Sequence, residues 1–136
     1  MNGPLMRPTK VLWQQLQEFE GGFLQPLSVI ERSSEEFLGN CGFMRVKNRQ
    51  YDLECYMAFR VKYWRKGLAS ELLGKLLDIA FNSLRARRVI GIIHPENAQS
   101  LRLVEKHGFH FSGNYVASGS EWQIGHPIYE VFPRSV

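Results

Sequence analysis

The sequence predicts a mixed α/β sandwich, and two observations lead to that class. A long helical stripe, Gly67–Leu84, lies between a strand-like run and a second, continuously apolar run, Arg88–His94. A strand, a covering helix and a buried strand make a crossover unit, so the two strands lie parallel. Upstream, Phe37–Val46 and a run from Tyr51 to about Val61 are separated only by polar Lys47-Asn48-Arg49-Gln50, the pattern of an antiparallel pair. Parallel and antiparallel pairings in one sheet, flanked by helices, define the class. With 136 residues the chain has the size of a single domain with a substantial core.

Each element follows from a local pattern. Val11, Leu12, Leu16 and Phe19 fall at helical spacing, so Thr9–Glu20 is predicted to be a short helix stopped by Gly21-Gly22. Leu27–Glu31, Phe37–Val46 and the run from Tyr51 form an antiparallel meander whose register brings Cys41 near Cys55 and Tyr56. In the long helix Leu68, Leu72, Leu76, Ala80 and Leu84 recur every four residues, with Leu73, Leu77 and Phe81 widening the stripe. Arg88–His94 has no polar alternation, as expected of a strand covered on both faces, and Pro95 ends it. Asn97 is a suitable N-cap for a helix Ala98–His107, and Gly108 for its left-handed stop. Phe109–Val116 and Ile128–Phe132 close the sheet on either side of a Gly/Ser-containing loop.

Charge and composition exclude several classes of function. There are 17 Lys and Arg against 13 Asp and Glu, a net +4, with 44% apolar and 22% charged residues, the balance of a globular chain and not of a disordered tail. The basic surplus is dispersed except at Arg85, Arg87 and Arg88, so no nucleic-acid partner is expected. No apolar run approaches the roughly 18 residues of a membrane span. Met1–Lys10 lack the apolar core of a secretory leader, so no membrane association and a cytoplasmic location are expected. Cys41 and Cys55 lie in the two arms of the hairpin and read as reduced, buried thiols. His94, His107, His110 and His126 have no zinc-type spacing, so no metal is expected.

Chemistry concentrates where a strand gives way to the long helix, at Tyr63-Trp64-Arg65-Lys66-Gly67-Leu68-Ala69-Ser70. A helix N-terminus presents unpaired N–H groups and a partial positive charge, and Gly67 lets an anion approach the main chain. Arg65, Lys66 and Ser70 add charge and hydrogen bonds, which makes the junction a phosphate cradle. It is neither the nucleoside-triphosphate loop nor the three-glycine dinucleotide turn, because the glycines and the Lys-Ser/Thr those motifs need are absent. A plain helix start with solvated Arg and Lys is the competing account.

A second segment, Asn97-x-x-Ser100 followed by Glu105-Lys106-His107-Gly108-Phe109, changes that balance. Together with Tyr63-Trp64-Arg65-Lys66-Gly67-Leu68-Ala69-Ser70-Glu71-Leu72, it resembles the GNAT superfamily of acyl-CoA-dependent N-acetyltransferases. The resemblance is strongest to the branch that acetylates ribosomal-protein N-termini, whose loop reads like Tyr-Trp-Gly-Lys-Gly-Tyr-Ala-Thr-Glu-Ala. It extends from about Leu27 to Phe132. It implies a mixed sheet of about six strands whose two central strands splay apart around acetyl-CoA as cosubstrate. Pantetheine would bond the main chain of Met57, Ala58 and Phe59. The pyrophosphate would sit on the amides of Trp64, Arg65, Lys66, Gly67, Leu68, Ala69 and Ser70, with Asn97 also contacting the cofactor.

Acetyl transfer to an amine needs a base for the nucleophile, donors for the oxyanion and a proton for the leaving thiolate. Main-chain N–H groups near Phe59 suit the oxyanion. Glu54 matches a Glu that the branch often carries on this strand and is the candidate base, with Asp52 competing on the same face. Many relatives place a Tyr acid in the short helix, where this chain has Val104. Ser100 is then the candidate thiolate partner, with Tyr115 an alternative and His94 a candidate substrate contact.

The family normally opens with a strand and two helices before the strand matching Leu27–Glu31, yet only 26 residues precede it here. The first strand and first helix are therefore expected to be missing, leaving a sheet edge that a homodimer would cover. Two functions remain: an acetyltransferase acting on a peptide N-terminus or small amine, and a non-catalytic acyl-CoA-binding module or degenerate relative.

Overall fold

The computed structural model describes residues 4–7, 27–31, 34–46, 49–59, 67–114 and 125–134. Among these, seven strands form one mixed sheet: β1 Pro4–Arg7, β2 Leu27–Glu31, β3 Phe37–Val46, β4 Arg49–Phe59, β5 Arg88–Ile92, β6 His110–Asn114 and β7 Pro127–Val131. Two α-helices accompany them, α1 Leu68–Asp78 and α2 Ala98–Lys106. The strand order is β1-β2-β3-β4-β5-β7-β6. Among these strands only β4 and β5 run parallel, and α1 lies between them in the chain, so the mixed α/β class and the crossover unit expected from the sequence are present.

The β3–β4 hairpin pairs Cys41 with Met57, Gly42 with Tyr56 and Phe43 with Cys55. Period-two alternation therefore puts Cys41, Phe43, Leu53 and Cys55 on one face. All four belong to the core or pack against it, together with Leu72, Leu73, Leu76 and Ala80 of the helical segment and Val89 of β5. Each buried Leu or Val contributes roughly 1.5–3 kcal/mol relative to exposure. Neither cysteine is in a disulfide, as expected, and burial pushes each thiol up to about 12.

The long helix departs from regularity at one place. After Asp78 the chain continues as a wider π-type turn, Ile79–Ser83, in which the Leu84 amide donates to the Ile79 carbonyl at 2.9 Å. A residue four positions on overshoots a full α-helical turn by about 40°. The stripe Leu72–Leu76–Ala80 would thus rotate off the core, and a wider turn reverses that drift. Ala80 is fully buried inside the π segment.

Two expectations need correction. The amino-terminal strand is not missing: β1 pairs antiparallel with β2, from Pro4 opposite Glu31 to Arg7 opposite Ser28. The edge of β2 is therefore covered within the chain, which removes the stated reason for a homodimer. The hairpin loop is also shorter than predicted, because β4 starts at Arg49 and Val46 pairs with Arg49 after a register shift. The expected helix Thr9–Glu20 lies outside the described residues. None of the helices among the described residues is long and apolar enough to cross a membrane.

Candidate active site

The parallel ladder between β4 and β5 has three rungs, Asp52–Arg88, Leu53–Val89 and Glu54–Ile90. Beyond them β4 stays with β3, through Met57–Cys41, Ala58–Asn40 and Phe59–Gly39. Meanwhile β5 stays with β7, through Gly91–Tyr129 and Ile92–Ile128. Two strands that part at their carboxyl ends leave an opening lined on both sides by main chain.

Each end of this opening has an identifiable cause. At the closed end Arg88 bridges two strands: Nη2 lies 2.9 Å from Asp52 Oδ2, and Nη1 lies 2.8 Å from Glu130 Oε2. Its Nε also donates to Asp52 Oδ2 at 3.1 Å. At the open end β4 is drawn against β3, because Gly39 has no side chain. A methyl group there would collide with the Ala58 carbonyl oxygen and crowd Phe59 Cα. The first contact fastens β4 to β5, and the second lets β4 lean away from it.

Beyond the opening, α1 starts at Gly67, which takes the left-handed conformation (φ 76°) as N-cap with no side chain capping the helix. Among the described residues, its chain neighbours and its own helix backbone apart, no atom lies within 4 Å of where a Cβ would stand. The first amides of an α-helix lack intrahelical acceptors, and an N-cap without a Cβ lets an anion approach them. Leu68, Ala69 and Ser70 form the first turn and are half-buried. Ser70 Oγ lies 3.0 Å from Nε2 of His107, at the far end of α2. Burial, and then the neighbouring Lys106 charge, hold His107 below its ordinary value, while a hydrogen bond to the Ser70 main chain works in the opposite sense. Trp64, Arg65 and Lys66 lie outside the described residues.

The β5–α2 turn carries the remaining candidates. Asn97 caps α2, its Oδ1 accepting from the Ser100 amide at 3.1 Å. The Asn97 cap account is therefore correct as far as Oδ1 goes, and the NH2 end of the side chain remains a donor. Ser100 is half-buried in the first turn, and Val104 is buried in the core. His94 accepts from the Glu96 amide at Nδ1, 3.1 Å, and its ring meets that of His126 edge-on with centroids 4.8 Å apart.

Glu54 and Asp52 share a face of β4 but have different surroundings. Asp52 is 7% exposed and fastened by Arg88, so it serves the β4–β5 junction and not the opening. Glu54 is half-buried at the last rung, opposite Ile90 on one side and Met44 on the other. It stands where the strands begin to part. Tyr115 lies outside the described residues. Met57, Ala58 and Phe59, the start of α1, and the Asn97–Ser100 turn all lie at the carboxyl ends of β4 and β5 or just beyond them. That is where ligands bind in α/β sheets.

Sequence reasoning missed two contributors. His107 received no role because its partner Ser70 is 37 residues away in the chain. Arg88 stands in the sequence as a member of a basic cluster and the first residue of a buried strand, and its clamp on Asp52 appears only with the strand register.

Comparison with known proteins agrees with this geometry. A family profile described as acetyltransferase (GNAT) domain matches residues 5–110. An uncharacterized N-acetyltransferase p20 of Bacillus licheniformis is 33% identical over 86 residues, 63% of this chain and 48% of that protein. The uncharacterized protein YkkB of Bacillus subtilis is 33% identical over 105 residues, 75% of this chain and 59% of its own length. The chain thus spans about half the length of these curated relatives. Among solved structures, a GNAT-family acetyltransferase from Bacillus anthracis superposes with a TM-score of 0.68 at 24% identity, covering 80% of this chain and 66% of that one.

Proposed function

From the premise that the chain belongs to the GNAT acetyltransferase family, we propose that it transfers the acetyl group of acetyl-CoA to a primary amine by direct attack. The observation that carries this reading is the end of the β4–β5 ladder at Glu54–Ile90, with the start of α1, capped by left-handed Gly67, beyond the end of β4 in the chain. The arrangement suits a long ligand with an anionic middle and a reactive end. Acetyl-CoA supplies the activated thioester.

In this reading, pantetheine lies along the main chain of Met57, Ala58 and Phe59. The phosphates lie against the amides from Trp64 to Ser70, helped by Arg65 and Lys66. The side-chain NH2 of Asn97 also faces the cofactor. Glu54, at the mouth of the opening, accepts the proton of the attacking amine, and main-chain N–H groups near Phe59 stabilise the oxyanion. Ser100 returns a proton to the departing thiolate, with Tyr115 as the alternative donor. The acceptor is a peptide N-terminus, as in the ribosomal-protein branch that the loop resembles, or a small amine. The residues 1–136 act as one domain in the cytoplasm.

The test has two stages. Acetyl-CoA is expected to raise the melting temperature, since a ligand at 100 times its Kd stabilises by about 2.7 kcal/mol. Thiol release is then measured with a panel of peptides and amines. Glu54→Gln is expected to lower turnover roughly 10²- to 10⁴-fold while cofactor binding is kept. Unchanged turnover in that variant refutes the base assignment. Cofactor binding without thiol release for any acceptor points to an acyl-CoA-binding module instead.

A further inference from the structure

We propose that His107 is a positioning residue for the cofactor cradle: from the end of α2 its Nε2–H donates to Ser70 Oγ, so that the Ser70 hydroxyl proton is directed to a phosphate at the start of α1. The inference rests on the reading of that helix start as the cofactor's phosphate site.

Three observations carry it. The Nε2–Oγ distance is 3.0 Å, a full hydrogen bond between elements far apart in sequence. The main chain that carries the ring is held by the helix end, because the His107 amide donates to the Leu103 and Val104 carbonyls and the following Gly108 turns away at φ 88°. It also rests beside Gly74, one turn beyond Ser70 on the same face of α1, where a Cβ would stand 3.7 Å from Cε1. The imidazole therefore lies along that face as a brace between the two helices.

A serine hydroxyl has one proton and two acceptor sites. Next to a phosphate its useful arrangement is to donate to the anion, and such charge-assisted bonds are the stronger ones. That requires the histidine to donate to the oxygen. With the other tautomer, Ser70 would give its proton to Nε2 and turn lone pairs toward the phosphate. The bound anion thus selects the Nε2–H form, and the histidine fixes the hydroxyl rotor before binding. Among the described residues the charge that acts on His107 is Lys106 of α2, while Glu71 and Lys75, next to Ser70 and Gly74 in the chain, pair with each other at 3.9 Å.

The experiment measures dissociation constants for acetyl-CoA and for pantetheine, which lacks the pyrophosphate, on wild type, His107→Leu, His107→Gln, Ser70→Ala and the double variant His107→Leu with Ser70→Ala. Removing one such hydrogen bond is expected to weaken acetyl-CoA binding about 2- to 10-fold in His107→Leu and in Ser70→Ala. The double variant loses no more than either single one, because one interaction has been removed twice. Pantetheine binding does not change, and His107→Gln, whose amide can still donate, recovers part of the loss. A general packing defect would weaken both ligands alike, and equal losses for both overturn the proposal. So does full acetyl-CoA affinity in His107→Leu, or an additive double variant. Should His107→Leu fail to fold, Ser70→Ala and His107→Gln decide by the same two-ligand comparison. A wild type that binds pantetheine but gains nothing from the phosphates overturns the reading of the cradle itself, and the inference with it.

Discussion

Arg88 reaches carboxylates on two other strands, Asp52 on β4 and Glu130 on β7, with all three side chains largely withdrawn from water. Removing one member of such a group leaves partly buried charge behind, so Arg88→Met is expected to cost roughly 3 kcal/mol in a urea titration. Glu130 shows the electrostatic side of the clamp. Burial alone would raise its carboxyl, but hydrogen bonds from Arg88 and Ser112 and the charges of Arg88 and His110 hold it below its ordinary value. Its contribution to stability is therefore present above that ordinary value and fades as pH falls through the lower folded one. His107 titrates in a different range. Its folded form is held below the ordinary 6.5, so its neutral state stabilises the fold above that value and the benefit is lost as pH falls below it. Melting temperatures of wild type and His107→Gln, followed from pH 7.5 downward, should show the steeper acid loss in wild type; parallel curves would contradict this. The sequence named Glu54, Gly67, Ser70, Asn97 and Ser100 as site candidates because helix-start chemistry and a family motif are local. His107 and Arg88 act through partners that only folding brings near.

At the scale of elements, the opening between β4 and β5 depends on how β3 holds β4. Gly39 permits a main-chain approach that a methyl group would block, and β2 meets β3 there with a register shift between Val29 and Ile30. Gly39→Ala is expected to destabilise the fold by about 1–3 kcal/mol through overpacking. It should also reduce the melting-temperature rise given by acetyl-CoA, because β4 must shift toward the opening. A variant that is less stable but keeps the full ligand-induced rise would show that Gly39 serves packing alone. The helical segment gives the complementary lesson. Its four-residue stripe, Leu68 to Leu84, was plain in the sequence, and α1 with the π turn follows it almost to the residue. The turn itself was missed, although a strict period of four is too long for a straight α-helix and already contained the reason.

Across the whole molecule, β1 changes what the sheet edges are. With Pro4–Arg7 paired to β2, the outer strands among the described residues are β1 and β6. β6 carries Phe111, 56% exposed and edge-on to Tyr129, while Phe132 after β7 stacks on His110. Pro4–Arg7 leaves little trace in the sequence because it is short, and PLMR has no alternation long enough to mark a strand. Its place is set by pairing with β2, a non-local contact.

What the sequence determined by itself is therefore what rests on near neighbours: the periodicities of α1, β3 and β5, the caps at Asn97 and Gly108, and the motifs that resemble the family's. Hydrophobic period and turn chemistry act within a few residues and leave a direct trace. The tertiary structure alone decided where β4 leaves β5, that Asp52 is a clamp and Glu54 stands at the mouth, that β1 closes the edge of β2, and that His107 meets Ser70. Each of these depends on strand register or helix docking between segments distant in the chain. A one-residue slip in register would send every side chain of a strand to the other face.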